Sequence, residues 1–163
     1  MSLFRIPTLL AILSLVMAMS PAPTAFANDD PELLTVHKSP TCGCCGLWVD
    51  HARANGFETR IEHPADINRL KANHGIAPRH QSCHTAVSVD GFVFEGHVPA
   101  HLIARFLAEK PEGAIGLAVP GMPIGSPGME MGERFDPYEV LVLMADGSSR
   151  VYSVIDTPAR QHP

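Results

Sequence analysis

The stretch Thr41-Cys42-Gly43-Cys44-Cys45-Gly46 sets three thiols within four residues, and the fourth cysteine of the chain, Cys83, lies far downstream. Sulfur this concentrated can crosslink, exchange redox equivalents or bind metal. Crosslinking is the weakest use. Any full pairing of the four cysteines must join two of them inside the 42–45 cluster, and loops that short remove little entropy from the unfolded chain. Redox exchange and metal ligation remain, and both need thiolate. Cys42 and Cys45 have the CxxC spacing of a thiol–disulfide pair, which makes them the candidate catalytic cysteines. Structural zinc ordinarily shows two separated ligand pairs at set spacing, a pattern missing here.

Other residues could complete a metal site. His84 adjoins Cys83, and His97 follows an expected strand, where it reads equally well as a helix-entry residue. Met122, Met129 and Met131 are interleaved with Gly and Pro in a polar stretch, a poor setting for gap-filling core residues. Thiolate and thioether together form a soft ligand set that selects Cu(I), with zinc and iron–sulfur clusters as competitors. Three adjacent thiols exceed what one two- or three-coordinate Cu(I) ion needs, so several coppers bridged by thiolate are expected. The candidate metal ligands are therefore Cys42, Cys44, Cys45, Cys83, His84, His97, Met122, Met129 and Met131.

The elements that must position these groups follow from periodicity. Residues 33–37 read as a strand, and Cys45, Trp48, Val49 and Ala52 then recur at helical spacing until Asn55-Gly56 stops them. Residues 57–62 alternate as a strand, and 66–74 form a second helix ended by Gly75 and Pro78. Strands over 85–89 and 92–95 flank the turn Asp90-Gly91, and 101–109 form a third helix behind Pro99. This β-α-β-α-β-β-α order, with cysteines between the first strand and first helix, predicts an α/β, thioredoxin-like domain over residues 28–110. Residues 111–163 form a C-terminal extension. It consists of a Met-bearing Gly/Pro-rich loop over 111–136, functional by its length, and a hairpin of 140–144 and 150–154 around Asp146-Gly147.

In such a sheet the third strand begins beside the end of the first, so residues 81–84 should face the cysteine cluster. A cis-proline usually fills that spot in this fold. Here no proline occurs between Pro78 and Pro99, and Cys83-His84 stands in the region instead. Cys44 and Cys45 fall at the N-terminal end of the first helix, where unpaired N–H groups and the helix dipole favour thiolate. His51 is expected at the surface or behind the site. His37, His63, His74, His80, His101 and His162 follow no interpretable spacing.

Residues 1–27 read as a signal peptide. Arg5 precedes an apolar run over 6–19 too short to span a bilayer comfortably, and Ala25-Phe26-Ala27 offers the small-x-small cleavage pattern. Export implies an oxidising compartment and leaves no membrane segment after cleavage. The formal net charge of −5 argues against nucleic acid and anionic membrane surfaces as partners.

Four ordered motifs, residues 38–46 (KSPTCGCCG), 82–86 (SCHTA), 95–100 (EGHVPA) and 119–132 (VPGMPIGSPGMEMG), together resemble the CopG-type periplasmic copper-resistance proteins. The likeness covers roughly residues 34–156. It implies a periplasmic, thioredoxin-like domain whose C-terminal extension helps bind metal, a cysteine-bridged multinuclear copper site beside the CxCC motif, and interconversion of Cu(I) and Cu(II) in copper detoxification. Carried over by position, the sulfur ligands fall on Cys42, Cys44, Cys45 and Cys83, with Met129, Met131 or Met122 supplied by the extension. Copper ions are the expected cofactor, a periplasmic copper efflux or carrier protein the expected partner, and a monomer the expected state. Two other functions fit the residues: a carrier that hands Cu(I) to an efflux system without redox chemistry, and a thiol–disulfide oxidoreductase acting on proteins.

Overall fold

The computed structural model describes residues 31–161, so the signal peptide expected over 1–27 lies outside the described residues. The chain opens with β1 (Leu33–Lys38), which buries every second residue, as a strand with one covered face requires. Helix α1 (Gly43–Ala54) follows and buries Cys45, Trp48, Val49 and Ala52, the stripe read from the sequence. Strand β2 (Glu58–Glu62) pairs parallel to β1, closing a crossover through α1. Helix α2 (Ile67–Asn73) is capped by Asp66, whose carboxylate accepts from the Arg69 N–H at 2.9 Å. Strands β3 (His84–Ser88) and β4 (Val93–Glu95) form the expected hairpin around Asp90-Gly91, and helix α3 (Ala100–Glu109) starts directly after Pro99. The predicted β-α-β-α-β-β-α order is the observed one up to this point.

Residues 111–136 depart from expectation. The sequence reads as one continuous loop, but β5 (Ala114–Ala118) lies inside it and pairs parallel to β4. Gly116 sits against the Val93 backbone, where any side chain would collide. A five-residue strand with glycine at its centre carries no alternation to read. Strands β6 (Tyr138–Met144) and β7 (Ser149–Ile155) form the predicted C-terminal hairpin. The result is one seven-stranded sheet in the order β2-β1-β3-β4-β5-β6-β7. Among the described residues no helix is long and apolar enough to cross a membrane.

The middle of the sheet is buried on both faces. On one, Trp48, Ile103 and Phe106 of α1 and α3 pack against Leu34, Val36, Ala86, Phe94 and Leu117. On the other, Ile76 covers Val93, Ala118 and Leu143. Successive strand residues alternate between these faces, so His84 and Thr85 at the start of β3 point to opposite sides of the sheet. That alternation divides the chemistry of the molecule in two.

Candidate metal centre

The site forms where α1 begins beside the start of β3. Register pairs Lys38, the last residue of β1, with His84, the first of β3. The loop entering β3 therefore meets the loop leaving β1. One sulfur from each of Cys42, Cys44, Cys45 and Cys83 lies within 4.8 Å of all the others. Cys42 is the N-cap of α1 and makes no side-chain hydrogen bond to the helix, while Cys44 and Cys45 occupy its first turn. No peptide bond in the described chain is cis, and residues 82–84 pass the cluster in the trans form with Cys83 directed at it.

The sulfurs are not equivalent. Cys42 and Cys45 are joined as a disulfide, and Cys44 and Cys83 are free thiols. Two of the four candidate sulfur ligands are thus tied to each other, with the CxxC spacing read from the sequence, and two are free. A CxxC pair at a helix start is close enough to bond, with the Cα atoms 5.4 Å apart here. Cys44 remains 3.5 Å from Cys42 through their sulfurs.

Cys83 also belongs to a second group with His84 and His97. Its sulfur is 3.3 Å from His84 Nδ1 and 3.1 Å from His97 Nε2. His97 Nδ1 lies 2.7 Å from the Pro127 carbonyl, which can only accept. Nδ1 therefore carries the proton, and the Nε2 lone pair faces the sulfur. His97 thus lies against Cys83 and, just before α3, is also bonded to the backbone, as the helix-entry reading expects. His84 is fully buried, stacked on Trp48 at 4.5 Å and on the edge of His97 at 5.1 Å, and its Nε2 has no hydrogen-bond partner among the described residues.

Electrostatics keep the metal-free group neutral. Burial pushes the Cys83 thiol up to about 11, and the neighbouring Cys44 adds to the shift. Burial also lowers His84 well below its ordinary value, with His97, Lys71 and Lys38 contributing repulsion. His97 is lowered by burial too, opposed by the Pro127 carbonyl and Glu130. A bound cation would reverse the Cys83 preference by stabilising thiolate over thiol, and would bind the imidazoles in the neutral form they already hold.

The loop after β5 rests on the first turn of α1 and meets His97 through the Pro127 carbonyl. A side chain at Gly128, where φ is +83°, would come within 2.6 Å of the Trp48 nitrogen and 2.9 Å of the Cys44 carbonyl oxygen. Only glycine lets the loop rest on the first turn of α1. Met129 follows this contact and is half-buried, whereas Met122 and Met131 are exposed. The loop is held by its own hydrogen bonds, Gly125 N–H to the Met129 carbonyl at 2.8 Å and Met129 N–H to the Ser126 carbonyl at 2.7 Å. Gln161 also donates to the Gly125 carbonyl at 2.7 Å.

Other contributors lie around the site, and of these only His51 is expected there from the sequence. Trp48 reads as core yet forms the floor under His84, with its indole N–H bonded to the Val98 carbonyl at 2.9 Å. His51 lies behind the site, its Nε2 accepting the Ala100 N–H at 3.1 Å and so capping α3. On the opposite face of β3, Lys71 and Glu95 form a buried ion pair. A carboxylate at a strand end and a lysine in a short helix look like ordinary surface residues until the fold buries them together.

A family model described as a protein of unknown function, DUF411, matches residues 80–129, which hold Cys83, His84, His97, Met122 and Met129. No curated protein matches the chain. Two solved structures of a copper resistance protein CopG, forms 1 and 2, are each 42% identical to it. Form 1 superposes with a TM-score of 0.73 over 78% of this chain and 99% of that one. Form 2 gives 0.72 over 77% and 98%. The chain belongs to the CopG copper resistance family. In this CopG-family chain the cysteine cluster can hold a metal ion, and its four sulfurs with two adjacent imidazoles make a soft donor set.

Proposed function

We propose that this chain is a periplasmic copper-binding protein of copper resistance that gathers several copper ions in a cysteine-bridged site and interconverts Cu(I) and Cu(II). The observation that carries this reading is the convergence of all four sulfurs within 4.8 Å. Four thiolates exceed the needs of a single Cu(I), and bridging is the natural use of the excess. Cys42, Cys44, Cys45 and Cys83 supply thiolate, His84 and His97 imidazole, and Met129, Met122 or Met131 thioether. The signal peptide over 1–27 delivers the protein to the periplasm. The parallel β1–β2 pair, the antiparallel β1–β3 and β3–β4 pairs and the CxxC at the start of α1 support a thioredoxin-like core over 28–110. Residues 111–163 act as the extension that lids the metal.

The disulfide gives the site its redox capacity. Closing Cys42–Cys45 from two thiolates would release two electrons, enough to reduce two Cu(II) to two Cu(I), which Cys44 and Cys83 would then hold; opening it with two electrons from a thiol reductant would restore the four thiolates that bridge several Cu(I). Cys44 and Cys83 lie outside this couple and retain metal in both states.

The test is metal analysis of the mature protein loaded with Cu(I) after reduction. More than one copper per chain, with thiolate-to-copper charge-transfer absorption, is expected. Stoichiometric zinc, or one copper at most, overturns the multinuclear reading. The bonded Cys42–Cys45 pair favours one second reading, thiol–disulfide exchange with protein substrates. That reading requires the metal-free reduced form to reduce a disulfide-bonded test protein and Cys42→Ser to abolish the reaction.

A further inference from the structure

Behind β3, on the face away from the metal centre, lies a polar group the proposed chemistry does not use. Lys71 of α2 and Glu95 at the end of β4 are 2% and 0% exposed and form an ion pair. Thr85 joins them, donating its hydroxyl to Glu95 Oε2 at 2.6 Å and accepting from Lys71 Nζ at 3.1 Å. The remaining contact leads back to the metal centre, because the Ser82 N–H donates to Glu95 Oε1 at 2.7 Å. Ser82 is fixed on its other side as well. Its hydroxyl donates to the Gly121 carbonyl, and the Gly121 N–H donates to the Gln81 carbonyl at 3.2 Å. The segment carrying Cys83 is thus held between a buried carboxylate and the start of the methionine loop.

We propose that Glu95, held by Lys71 and Thr85, is a positioning residue that fixes the Ser82–Cys83 backbone so that the Cys83 thiol meets the cysteine cluster. The structural logic is that of replacement. No proline occupies this segment, so nothing in its own covalent structure restrains φ. A charge-assisted hydrogen bond to a buried carboxylate supplies the restraint from outside. Stability alone is a poor reason for such a pair, since apolar residues of similar volume serve at least as well. The value of this pair lies in where it holds one N–H. The inference rests on the reading of Cys83 as a copper ligand, but its mechanical part can be tested without copper.

Three variants separate the possibilities. Lys71→Met with Glu95→Leu removes both charges and the acceptor for Ser82. Lys71→Met with Glu95→Gln removes both charges but keeps an acceptor oxygen. Glu95→Asp keeps the charge for Lys71 but draws it back from Ser82 by one methylene. In the metal-free proteins, hydrogen exchange of the Ser82 amide should be about tenfold faster or more with Leu and with Asp, as expected for loss of a charge-assisted bond. It should stay near wild type with Gln. After Cu(I) loading, charge-transfer absorption per folded chain should fall to the Cys83→Ser level with Leu and Asp and be rescued with Gln.

Wild-type amide protection or wild-type absorption in both the Leu and Asp proteins overturns the proposal and leaves the pair a structural element. If the Leu protein does not fold, the Asp protein alone decides between these outcomes. If Cys83→Ser itself binds copper like wild type, the ligand reading of Cys83 fails, while the amide exchange still decides whether Glu95 holds the segment.

Discussion

The two faces of β3 carry two buried polar clusters one residue apart in sequence, and they are finished differently. On the α2 face, Lys71, Thr85 and Glu95 satisfy one another and the Ser82 N–H. On the α1 face, His84 Nε2 lacks a hydrogen-bond partner among the described residues, and Cys44 and Cys83 remain free thiols although each is partly buried. Burial opposes charge on both sides, raising Glu95 and Cys83 and lowering His84. The Lys71 ammonium, the Thr85 hydroxyl and the Ser82 N–H offset that cost for Glu95. For Cys83 the Ser82 hydroxyl and its own backbone N–H oppose the shift, but no counter-charge does, and Cys44 adds to it. A closed polar cluster holds a fold in place, and an open one is a site waiting for a ligand.

That contrast can be broken from the closed side first. Lys71→Met leaves the Glu95 carboxylate buried without its counter-ion and should cost about 3–5 kcal/mol in the metal-free protein. Urea unfolding measures it, and a loss under ~1 kcal/mol would contradict a closed cluster. Gly128→Ala places a methyl group against the α1 backbone at a left-handed φ and should cost about 1–3 kcal/mol. The same variant should lower copper content, because the lid no longer seats; unchanged metal analysis would detach the loop from the site.

Acid probes the open side. His84 is held neutral by burial, so the unfolded chain binds its proton first as pH falls below the ordinary histidine value. The stability it contributes is complete above about pH 6.5 and declines below it, by at most ~1.4 kcal/mol per pH unit for one histidine. Unfolding midpoints of the metal-free protein should therefore fall from pH 7 to 5, and His84→Leu should fall less steeply. A parallel decline in both would assign the acid sensitivity elsewhere. The smallest stability effect belongs to Cys83→Ser, because a hydroxyl can still meet His97 Nε2; the metal-free midpoint should move by no more than ~1 kcal/mol. Copper content should nonetheless drop, and an unchanged stoichiometry would remove Cys83 from the ligand set.

Much of the frame was legible in the chain because it is written in short-range patterns. The stripe Cys45, Trp48, Val49 and Ala52 specifies the buried side of α1, and Asp90-Gly91 and Asp146-Gly147 specify two hairpins. Strand β5 was hidden because Gly116 interrupts its apolar run among prolines and glycines that favour a loop reading. The Cys42–Cys45 bond was open to alternatives because three thiols in four residues admit more than one local pairing.

The local alphabet of the sequence determined which donors exist and which element carries each of them, since helix stripes, turns and cysteine spacing act over a few residues. Tertiary structure decided which donors meet, and only the expected strand order foretold that Cys83 would face the cluster. Cys83 reaches the CxCC turn because β1 and β3 pair in a register that sets Lys38 opposite His84. Lys71 finds Glu95 because α2 packs on the face of the sheet that β4 shares. Pairings across 24 and 41 residues are fixed by packing and strand register, which no short window of sequence encodes.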